Sequence, residues 1–585
     1  MTAYTPPLAE IRFVLEHLVD LEGIGRLPGL EAASADVVDH ILEEAGKFAT
    51  NELAPLNATG DRQRARLENG VVRTPDGFKE AYGKFVAGGW PGLQFPESWG
   101  GQGLPCTVAT AVWEMWNSAN MALCLCPILT HAGVELLLRH GSQQQRALYL
   151  PKLVSGEWTG TMCLTEPQAG SDVGALRTRA VPAGDHYRIH GTKIYITYGE
   201  HDYTPNTIHL VLARTPGAPP GSKGISLFLI PKFLVQEDGS LGPRNDLRCV
   251  SLEHKLGIHA SPTCVMSFGD NEGAVGYLVG EEHGGMEAMF TMMNNARLSV
   301  GLEGLAIAER AYQGALAYAR ERVQGRRRNG GVEAPARIIE HPDVRRTLLT
   351  MRSQIEAMRA LAYSAAAALD RSQHEPDAAR RAEADGRLVL LIPLVKAWCT
   401  DLGFEIASAA LQVHGGMGYI EETGIAQHLR DARIAMIYEG TNGIQALDLV
   451  GRKLRMADGQ LPWALFAELK DDLATLEDAG EAELREPLAA ALADLEQATR
   501  WLQADHGNDA DAGAAGATPY LRMLATTLGG FLLARSALTA RGAGHPLAEA
   551  KLASARFYVT QLLPPAAALR AAVTAGSAPL QAACD

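Results

Sequence analysis

The order in which hydrophobic periodicity changes along the chain constrains its fold more than any other feature. Between about residues 34 and 156, apolar side chains recur at the three- and four-residue spacing of amphipathic helices. From about 158 to 279 this spacing gives way to short β-rich runs separated by turn residues, which predicts a small antiparallel β domain. Helical spacing returns near Met286, lasts to about Leu454 and resumes at Trp463.

These changes predict a multidomain α+β protein. Its 585 residues exceed what one compact core accommodates. The predicted parts are an N-terminal extension, an N-terminal helical domain, a middle β-barrel domain, a C-terminal helical bundle and an additional C-terminal helical domain, at residues 1–33, 34–157, 158–282, 283–456 and 463–585.

Composition and charge exclude several classes of protein. The chain is 47% hydrophobic and 21% charged, which is typical of a folded globular protein rather than a disordered or fibrous one. The net charge of -14 provides no electrostatic footprint for nucleic acid, so no nucleic-acid partner is expected. Anionic small ligands remain compatible with it, because a local basic pocket can lie on an acidic body.

The N-terminus and the cysteines bear on the compartment. The first residues, MTAYTPPLAEIRF, lack the basic and apolar regions of a secretory signal. No run reaches the ~18 apolar residues that a membrane span needs, so none is expected. The eight cysteines form no CxxC pair and no zinc spacing, which favours reduced thiols and no metal site. We therefore expect a bacterial-type cytoplasmic protein.

Common catalytic signatures are missing from the sequence. It contains no GxxxxGK[ST] phosphate loop, no GxSxG elbow and no HExxH zinc motif. No strict GxGxxG follows a predicted strand, so a Rossmann dinucleotide-binding unit is not expected. Three other segments carry the functional information.

The first segment, residues 164–172, reads Leu-Thr-Glu-Pro-Gln-Ala-Gly-Ser-Asp where the β domain begins. Proline and glycine favour a turn, and Thr165 and Ser171 offer hydroxyl groups to a polar ligand. An alternative interpretation of the same residues is an ordinary turn that leads into the β domain.

The second segment, residues 411–419, reads Leu-Gln-Val-His-Gly-Gly-Met-Gly-Tyr after a long helical pattern. The adjacent Gly415 and Gly416 let a backbone pass close to a ligand. An alternative interpretation of the same residues is a helix C-cap followed by a turn.

The third segment, residues 437–445, reads Ile-Tyr-Glu-Gly-Thr-Asn-Gly-Ile-Gln. A glutamate in the position of Glu439 is commonly an exposed residue whose charge is favourable at a helix N-terminus. Held against apolar surroundings, its pKa would instead rise and it could serve as a base.

In combination, the three segments resemble the acyl-CoA dehydrogenase family, in its order and roughly at its spacing. The resemblance covers residues 34–454 and implies the family's helical–β–helical fold. The helices after Gly459 resemble those of a longer subgroup, which includes 3-(methylthio)propanoyl-CoA dehydrogenases.

The resemblance implies FAD-dependent α,β-dehydrogenation of an acyl-CoA thioester to the trans-2-enoyl-CoA, a reaction of fatty-acid β-oxidation. Glu439 matches the family's base, which takes the α-proton while N5 of FAD takes the β-hydride. The backbone N–H of this glutamate is expected to bind the thioester oxygen. The expected substrate is 3-(methylthio)propanoyl-CoA or a short, medium or long fatty acyl-CoA.

The resemblance also implies the FAD contacts. Arg322 matches an arginine that reaches the FAD pyrophosphate of a neighbouring subunit, and a guanidinium suits phosphate oxygens. At Tyr195 the family usually has tryptophan. The arginines at 326–328 are interpreted as part of a solvated loop. The expected cofactor-binding residues are Thr165, Ser171, Tyr195, Thr197, Arg322, Gln412, Gly416 and Thr441.

Substrate contacts follow from the same resemblance. The segment Met293–Arg297 matches a helix that lines the CoA and acyl channel. Ala296 stands where some branches place an alternative catalytic carboxylate, which supports Glu439 as the base. The expected substrate-binding residues are Ser171, Asn294, Arg297, Tyr438 and Gly440.

The expected partners are an acyl-CoA, an electron-transfer flavoprotein as electron acceptor, and a second copy of the chain in a homodimer. Two alternatives stay open. One is an acyl-CoA oxidase that passes electrons to O₂. The other is a non-catalytic flavoprotein scaffold, against which the retention of Glu439, Gly440 and Thr441 argues.

Overall fold

The computed structural model describes residues 3–329, 332–504, 506–507, 509 and 511–581, without the side chains of residues 294, 328, 329, 332 and 333. Contacts divide the chain into two compact units. Unit 1 comprises Met1–Gly46, Pro105–Ser118 and Arg297–Asp585, and unit 2 comprises Lys47–Leu104 and Ala119–Ala296. The predicted N-terminal helical domain contributes to both units, and the linear domain boundaries remain a prediction.

Most of the helices occupy the segments that show helical periodicity, as predicted, whereas the first two lie in the N-terminal extension, for which no helix was predicted. The helices are α1 (Leu8–His17), α2 (Leu21–Ile24), α3 (Ala35–Phe48), α4 (Ala54–Gln63), α5 (Phe78–Ala87), α6 (Cys106–His140), α7 (Gln143–Val154), α8 (Gly285–Glu321), α9 (Pro342–His374), α10 (Ala378–His414), α11 (Ile425–Ala432), α12 (Asn442–Gly451), α13 (Leu461–Asp478), α14 (Ala482–Gln503), α15 (Ala512–Ala515), α16 (Ala517–Gly542), α17 (Ala548–Phe557) and α18 (Pro565–Val573).

The strands fall mostly between residues 159 and 279. They are β1 (Arg66–Glu68), β2 (Val71–Arg73), β3 (Thr159–Cys163), β4 (Arg179–Ala183), β5 (His186–Thr197), β6 (Thr207–Ala213), β7 (Ser226–Pro231), β8 (Phe233–Val235), β9 (Leu241–Arg244), β10 (Leu247–Leu252), β11 (Thr263–Phe268), β12 (Ala274–Val279), β13 (Val323–Asn329) and β14 (Val332–Arg337).

Unit 2 is built around an eight-stranded sheet. Its order is β10-β11-β5-β12-β7-β6-β3, and β4 pairs with β5. The pairs are antiparallel, as predicted, with the exception of β3 and β6, which are parallel. A parallel pair needs a long crossover. Here the chain between Cys163 and Thr207 supplies one that includes β4 and β5.

Unit 1 contains a bundle in which α9 and α10 pack against each other and against α16. The apolar run Leu388–Val395 lies in α10, and it is buried from Leu390 onward. The ammonium of Lys551 on α17 pairs with Glu10 on α1 and with Glu356 on α9, at 3.2 Å for the latter. The additional C-terminal helices are thus joined to the N-terminal extension and to the bundle.

In the part of the chain that the structure describes, two helices are long and apolar enough to cross a membrane, namely α6 and α16. In their most apolar windows, 89% and 78% of the residues are buried inside the protein. Helices in a protein core pass the same test of length and composition, so this finding is weak support for a membrane span.

The interpretation of the arginine run 326–328 as a loop is wrong. These residues lie in β13, which pairs with β14 in an antiparallel hairpin. A guanidinium group of Arg327 donates to the carbonyl of Glu340. Arginine is compatible with both an exposed strand and a loop, and it is the backbone pairing with β14 that distinguishes the two.

Candidate active site

The segment around Glu439 is a tight turn that leads into α12. The φ angles of Glu439 and Gly440 are +56° and +85°, so two successive residues adopt the left-handed conformation. Glycine accepts this region freely, whereas glutamate occupies it at a cost. Such a conformation persists only where its surroundings hold it.

Two side chains hold the turn from its C-terminal side. The hydroxyl of Thr441 caps α12 by accepting a hydrogen bond from the N–H of Ile444, at 3.4 Å. The amide nitrogen of Gln445 donates to the carbonyls of Glu439 and Gly440, both at 3.3 Å. The polar cluster after Glu439 therefore stabilises the backbone that presents this glutamate.

The carboxylate of Glu439 is poised to accept a proton. Its Oε2 atom is buried and has no hydrogen-bond partner among the described residues. Burial raises the pKa of Glu439 to about 7, although the charges of Arg297 and Lys396 oppose the shift. A base works best when its pKa lies near the working pH. The backbone N–H of Glu439 likewise makes no hydrogen bond within the described part of the chain.

Arg297 lies in the same unit as Glu439. It is 4% exposed, and burial lowers the pKa of its guanidinium. A Cβ placed on Gly440 would lie 2.9 Å from the amide nitrogen of Gln445 and 3.8 Å from Nη2 of Arg297. Gly440 thus lets the turn approach the amide of Gln445, whereas the distance to Arg297 is an ordinary contact that a Cβ would also allow. The side chain of Asn294, on the same helix, lies outside the described part.

Two buried ionisable residues near Glu439 were missed by sequence reasoning. Glu303 on α8 and Lys396 on α10 are both fully buried. The hydroxyl of Tyr438 donates to the carboxyl group of Glu303, and Nζ of Lys396 donates to Oδ1 of Asn442 at 2.7 Å. A signal was present, since each is an isolated ionisable residue within an apolar helical stretch.

Asn442 connects the start of α12 to α10. Its amide nitrogen donates to the carbonyl of Ala397 at 3.1 Å, to the hydroxyl of Thr400 at 3.0 Å and to Oδ1 of Asp401 at 2.6 Å. With Lys396 bound to its oxygen, the side chain of Asn442 is fully engaged inside unit 1. It fixes the turn and is not available to a ligand.

In unit 2, Glu166 organises the segment 164–172. The carboxylate is buried and accepts hydrogen bonds from Nζ of Lys193 at 2.8 Å and from the hydroxyl of Thr178 at 2.6 Å. Burial opposes its ionisation, but Lys193 and these hydrogen bonds lower the pKa of Glu166 to about 2. Lys193 also donates to the carbonyl of Leu164, at 3.0 Å. The glutamate of this motif is therefore structural.

This anchoring brings Thr165 beside the end of β5. The carbonyl of Thr165 accepts a hydrogen bond from the N–H of Ile194 at 2.9 Å. The pairing of β5 with β11 shifts register here, and Tyr195 has a φ of +61°. Such a bulge redirects a side chain, and the side chain of Tyr195 is 60% exposed.

These residues fit a flavin ring. An exposed aromatic side chain provides a surface against which a planar ring can pack. The hydroxyls of Thr165 and Thr197 make no hydrogen bond to any described residue, which leaves both available to a polar ring edge. The carbonyl of Thr197 is occupied by the hydroxyl of Thr161, at 2.8 Å. Ser171 is exposed on the same segment as Thr165.

Three further predicted cofactor residues lie at one end of the bundle in unit 1. The rings of Tyr318 on α8 and His414 on α10 stack with centroids 4.4 Å apart, which brings the C-terminal ends of these helices together. Arg322, Gln412 and Gly416 follow or flank these rings, and all three are exposed. An exposed guanidinium beside open backbone suits a phosphate group. Thr441 is also exposed, next to the turn of Glu439.

Among the described residues, no group of three or more histidine, cysteine, aspartate and glutamate side chains could hold a metal ion. Seven of the cysteines are free thiols, and Cys584 lies outside the described residues. The expectation that the protein needs no metal remains a prediction.

Four family models match consecutive parts of the chain. The N-terminal, middle and C-terminal domains of acyl-CoA dehydrogenase match residues 37–157, 161–271 and 283–454. A model described as acetyl-CoA dehydrogenase C-terminal like matches residues 465–583. The additional helices are therefore a recognised extension of this type of protein.

Individual proteins agree with these matches. A 3-methylmercaptopropionyl-CoA dehydrogenase from Ruegeria pomeroyi is 48% identical over 96% of this chain and 96% of its own length. A butyryl-CoA dehydrogenase from Syntrophomonas wolfei is 35% identical over 95% and 94% of the two chains. The structure of an acyl-CoA dehydrogenase from Bacillus anthracis, complexed with FAD, covers 92% of this chain and 88% of that one at 21% identity, with a TM-score of 0.74.

The predicted fold class and enzyme class are confirmed by these matches. They cover nearly the whole chain, including the helices after residue 463. This chain belongs to the acyl-CoA dehydrogenase family.

Proposed function

We propose that Glu439 is the base of an FAD-dependent α,β-dehydrogenation, in which it takes the α-proton of an acyl-CoA thioester. The observation that carries this proposal is the buried, unpartnered Oε2 atom of Glu439 on a strained turn. With a pKa of about 7, roughly half of these carboxyl groups are ionised at neutral pH. Arg297 and Lys396 favour the ionised form, which is the form that accepts a proton.

We propose a second role for Glu439, which its backbone performs. The free N–H of Glu439 can donate a hydrogen bond to the thioester oxygen, which makes the α-proton more acidic as negative charge develops on that oxygen. Gln445, Thr441 and Asn442 hold this backbone in place. A pre-positioned donor of this kind is worth ~3 kcal/mol of barrier in other enzymes.

FAD, when bound, accepts the hydride that leaves Cβ of the substrate. On unit 2, Thr165, Tyr195 and Thr197 would contact the flavin ring, with Ser171 nearby. On unit 1, Arg322 would bind the pyrophosphate of FAD. In a homodimer, three further residues of this unit would also contact FAD, namely Gln412, Gly416 and Thr441. The substrate contacts would come from Ser171, Asn294, Arg297, Tyr438 and Gly440.

The variant Glu439→Gln tests the assignment of the base. It keeps the shape of the side chain but cannot take a proton, so it should retain yellow FAD and lose flavin reduction by acyl-CoA by at least about 100-fold. Stopped-flow absorbance of the flavin measures this loss. Bleaching by substrate at a near-normal rate would show that another group is the base.

For the substrate, we favour 3-methylmercaptopropionyl-CoA, because the relative of that name is similar over nearly the full length of both chains. A panel of acyl-CoAs monitored by flavin bleaching tests this choice. Pentanoyl-CoA is the matched control, since it has the same number of chain atoms without sulfur. An extra or missing methylene changes binding in a pocket by only ~1–3 kcal/mol. The preferred substrate is therefore identified by the ratio of the kcat/KM values for the two acyl-CoAs. Faster reduction by butyryl-CoA or a longer fatty acyl-CoA would assign a fatty-acid substrate instead.

The remaining proposals concern the setting of the reaction. We propose a cytoplasmic homodimer that serves acyl-CoA β-oxidation and passes its electrons to an electron-transfer flavoprotein. Light scattering should give twice the chain mass of 62.6 kDa, and a tetramer would contradict this. Stoichiometric peroxide during aerobic turnover would identify an oxidase, and an unchanged flavin spectrum across the panel would identify a scaffold.

A further inference from the structure

The carboxyl group of Glu303 is a second acidic group beside the proposed base, and the mechanism above does not use it. Glu303 lies on α8 and is 0% exposed. Its Oε1 atom has no hydrogen-bond partner among the described residues, and no described cation forms an ion pair with it. An unpaired buried carboxylate is costly, so this group needs an explanation.

Among the described residues, the side chain of Glu303 makes one hydrogen bond, and this bond leads directly to the turn that carries Glu439, here called the catalytic turn. The Oε2 atom of Glu303 accepts from the hydroxyl of Tyr438, the residue immediately before Glu439. Gln445 holds the other side of the turn through the carbonyls of Glu439 and Gly440. The strained backbone of Glu439 is thus held from α12 on one side and from α8 on the other.

We propose that Glu303 is a positioning residue for Glu439, which holds the catalytic turn through Tyr438 and whose own ionisation acts on the base. This inference rests on the proposed role of Glu439. Glu303 is not itself a catalytic residue, because it acts through Tyr438 and through its charge.

The electrostatic surroundings determine the expected pH dependence. Glu303 faces Tyr438, Glu439 and Lys396, and Glu439 faces Arg297 and Lys396. Burial raises the pKa of Glu303 to about 8; the hydrogen bond from Tyr438 opposes this shift and the charge of Glu439 adds to it. At neutral pH Glu303 is therefore mostly uncharged while Glu439 is about half ionised.

Above pH ~8 the second carboxyl group ionises, and its negative charge increases the proton affinity of Glu439. The two groups then titrate as a coupled pair, in two steps. The rate of flavin reduction should accordingly rise with pH in two steps in the unmodified holoenzyme. A merely structural glutamate would produce one step.

The variants Glu303→Gln and Tyr438→Phe separate the two parts of the proposal. Glu303→Gln keeps an acceptor for Tyr438 but cannot ionise, so it should retain the rate near pH 7 within about 2-fold and show a single step. Tyr438→Phe removes the hydrogen bond to Glu303 but keeps the aromatic ring that would contact the substrate, so the misplaced base should lower kcat on the order of 10-fold with little change in KM. Tyr363→Phe is the matched control, because Tyr363 donates to the buried Glu114 at 2.7 Å within the same unit.

A second readout does not depend on turnover. Infrared titration of the substrate-free holoenzyme follows the C=O stretch of protonated carboxyl groups. Between pH 6 and 9 we expect one carboxyl group fewer to ionise in Glu303→Gln than in the unmodified protein or in Tyr363→Phe, because Glu439 and the buried Asp370 titrate in this range in all three.

Two results would overturn the proposal while Glu439→Gln still abolishes flavin reduction. One is the persistence of both titration steps in Glu303→Gln. The other is a loss of kcat in Tyr438→Phe no larger than that in Tyr363→Phe. A near-normal rate in Glu439→Gln would instead overturn the assignment of the base, and with it this inference.

Discussion

At the scale of the residue, Glu439 has two features that destabilise the folded protein but favour the proposed chemistry. Its backbone adopts a conformation that glutamate disfavours, and its carboxylate lacks a hydrogen-bond partner among the described residues. Both features oppose folding, whereas a basic, correctly aimed carboxylate favours proton abstraction. Residues of this kind are tolerated where function demands them.

This destabilisation predicts a pH-dependent gain in stability for Glu439→Gln. Because the pKa of Glu439 is raised from the unfolded value to about 7, the ionised carboxylate destabilises the fold increasingly as pH rises from 4.5 to 7. At pH 8 the variant should be more stable by about 1–3 kcal/mol, after allowance for partial exposure. Chemical denaturation measures the difference, which should vanish at pH 4.5.

The exposed Glu383 on α10 provides the matched control for this measurement. Glu383→Gln removes the same charge from a solvated position, so it should change the free energy of unfolding by less than ~0.5 kcal/mol at either pH. If Glu439→Gln shows an equally small and pH-independent change, then burial does not raise the pKa of Glu439.

At the scale of the element, the segment 164–172 depends on one buried ion pair. Glu166 joins this segment to Lys193 on β5, and Lys193 is fully buried. The pair places Thr165 beside the bulge that carries Tyr195. The ion pair therefore holds the segment 164–172 in place against β5.

Glu166→Gln should destabilise unit 2 and weaken FAD retention. It leaves the Lys193 ammonium buried without a counter-charge, at a cost of about 3–5 kcal/mol. Thermal unfolding and the flavin-to-protein absorbance ratio measure the two effects. The double variant Glu166→Gln/Lys193→Met should recover most of the stability, and a double variant as unstable as the single one would exclude the unpaired charge as the cause.

At the scale of the whole molecule, the additional C-terminal helices are integral to unit 1. Lys551 on α17 lies between Glu10 and Glu356, and the hydroxyl of Ser554 donates to Glu356 at 3.0 Å. These contacts connect the first, central and last parts of the chain. We therefore expect the N-terminal extension and the last helices to unfold together with the bundle.

Lys551→Met should lower the free energy of unfolding by about 3–5 kcal/mol, because it leaves the carboxylate of Glu10 without a cation and that of Glu356 with Arg352 alone. Lys470→Met is the matched control, since Lys470 is 59% exposed and pairs with Glu496 at 2.6 Å. The control should cost less than ~1 kcal/mol. Equal effects of the two substitutions would mean that the Lys551 cluster contributes no more than a surface pair.

Particular residues show how far the sequence alone could reach. Glu439 was identifiable because its neighbours in the chain form a motif with a chemical rationale. Glu303 and Lys396 stand out only as isolated ionisable residues in apolar helical stretches. Their place beside Glu439 was not predictable, because they lie about 136 and 43 residues away and no local pattern specifies which helices face each other. The structural role of Glu166 was equally hidden, since its partner Lys193 is on another element.

The sequence by itself determined the order of helical and β regions, the family and the position of the proposed base. Periodicity and motifs are properties of neighbouring residues, so they can be read along the chain. Tertiary structure alone decided the parallel pairing of β3 with β6, the exposure of Tyr195 at a bulge and the group of ionisable side chains around Glu439. Burial and electrostatic coupling depend on distances between residues far apart in the chain, and those distances exist only after the chain has folded.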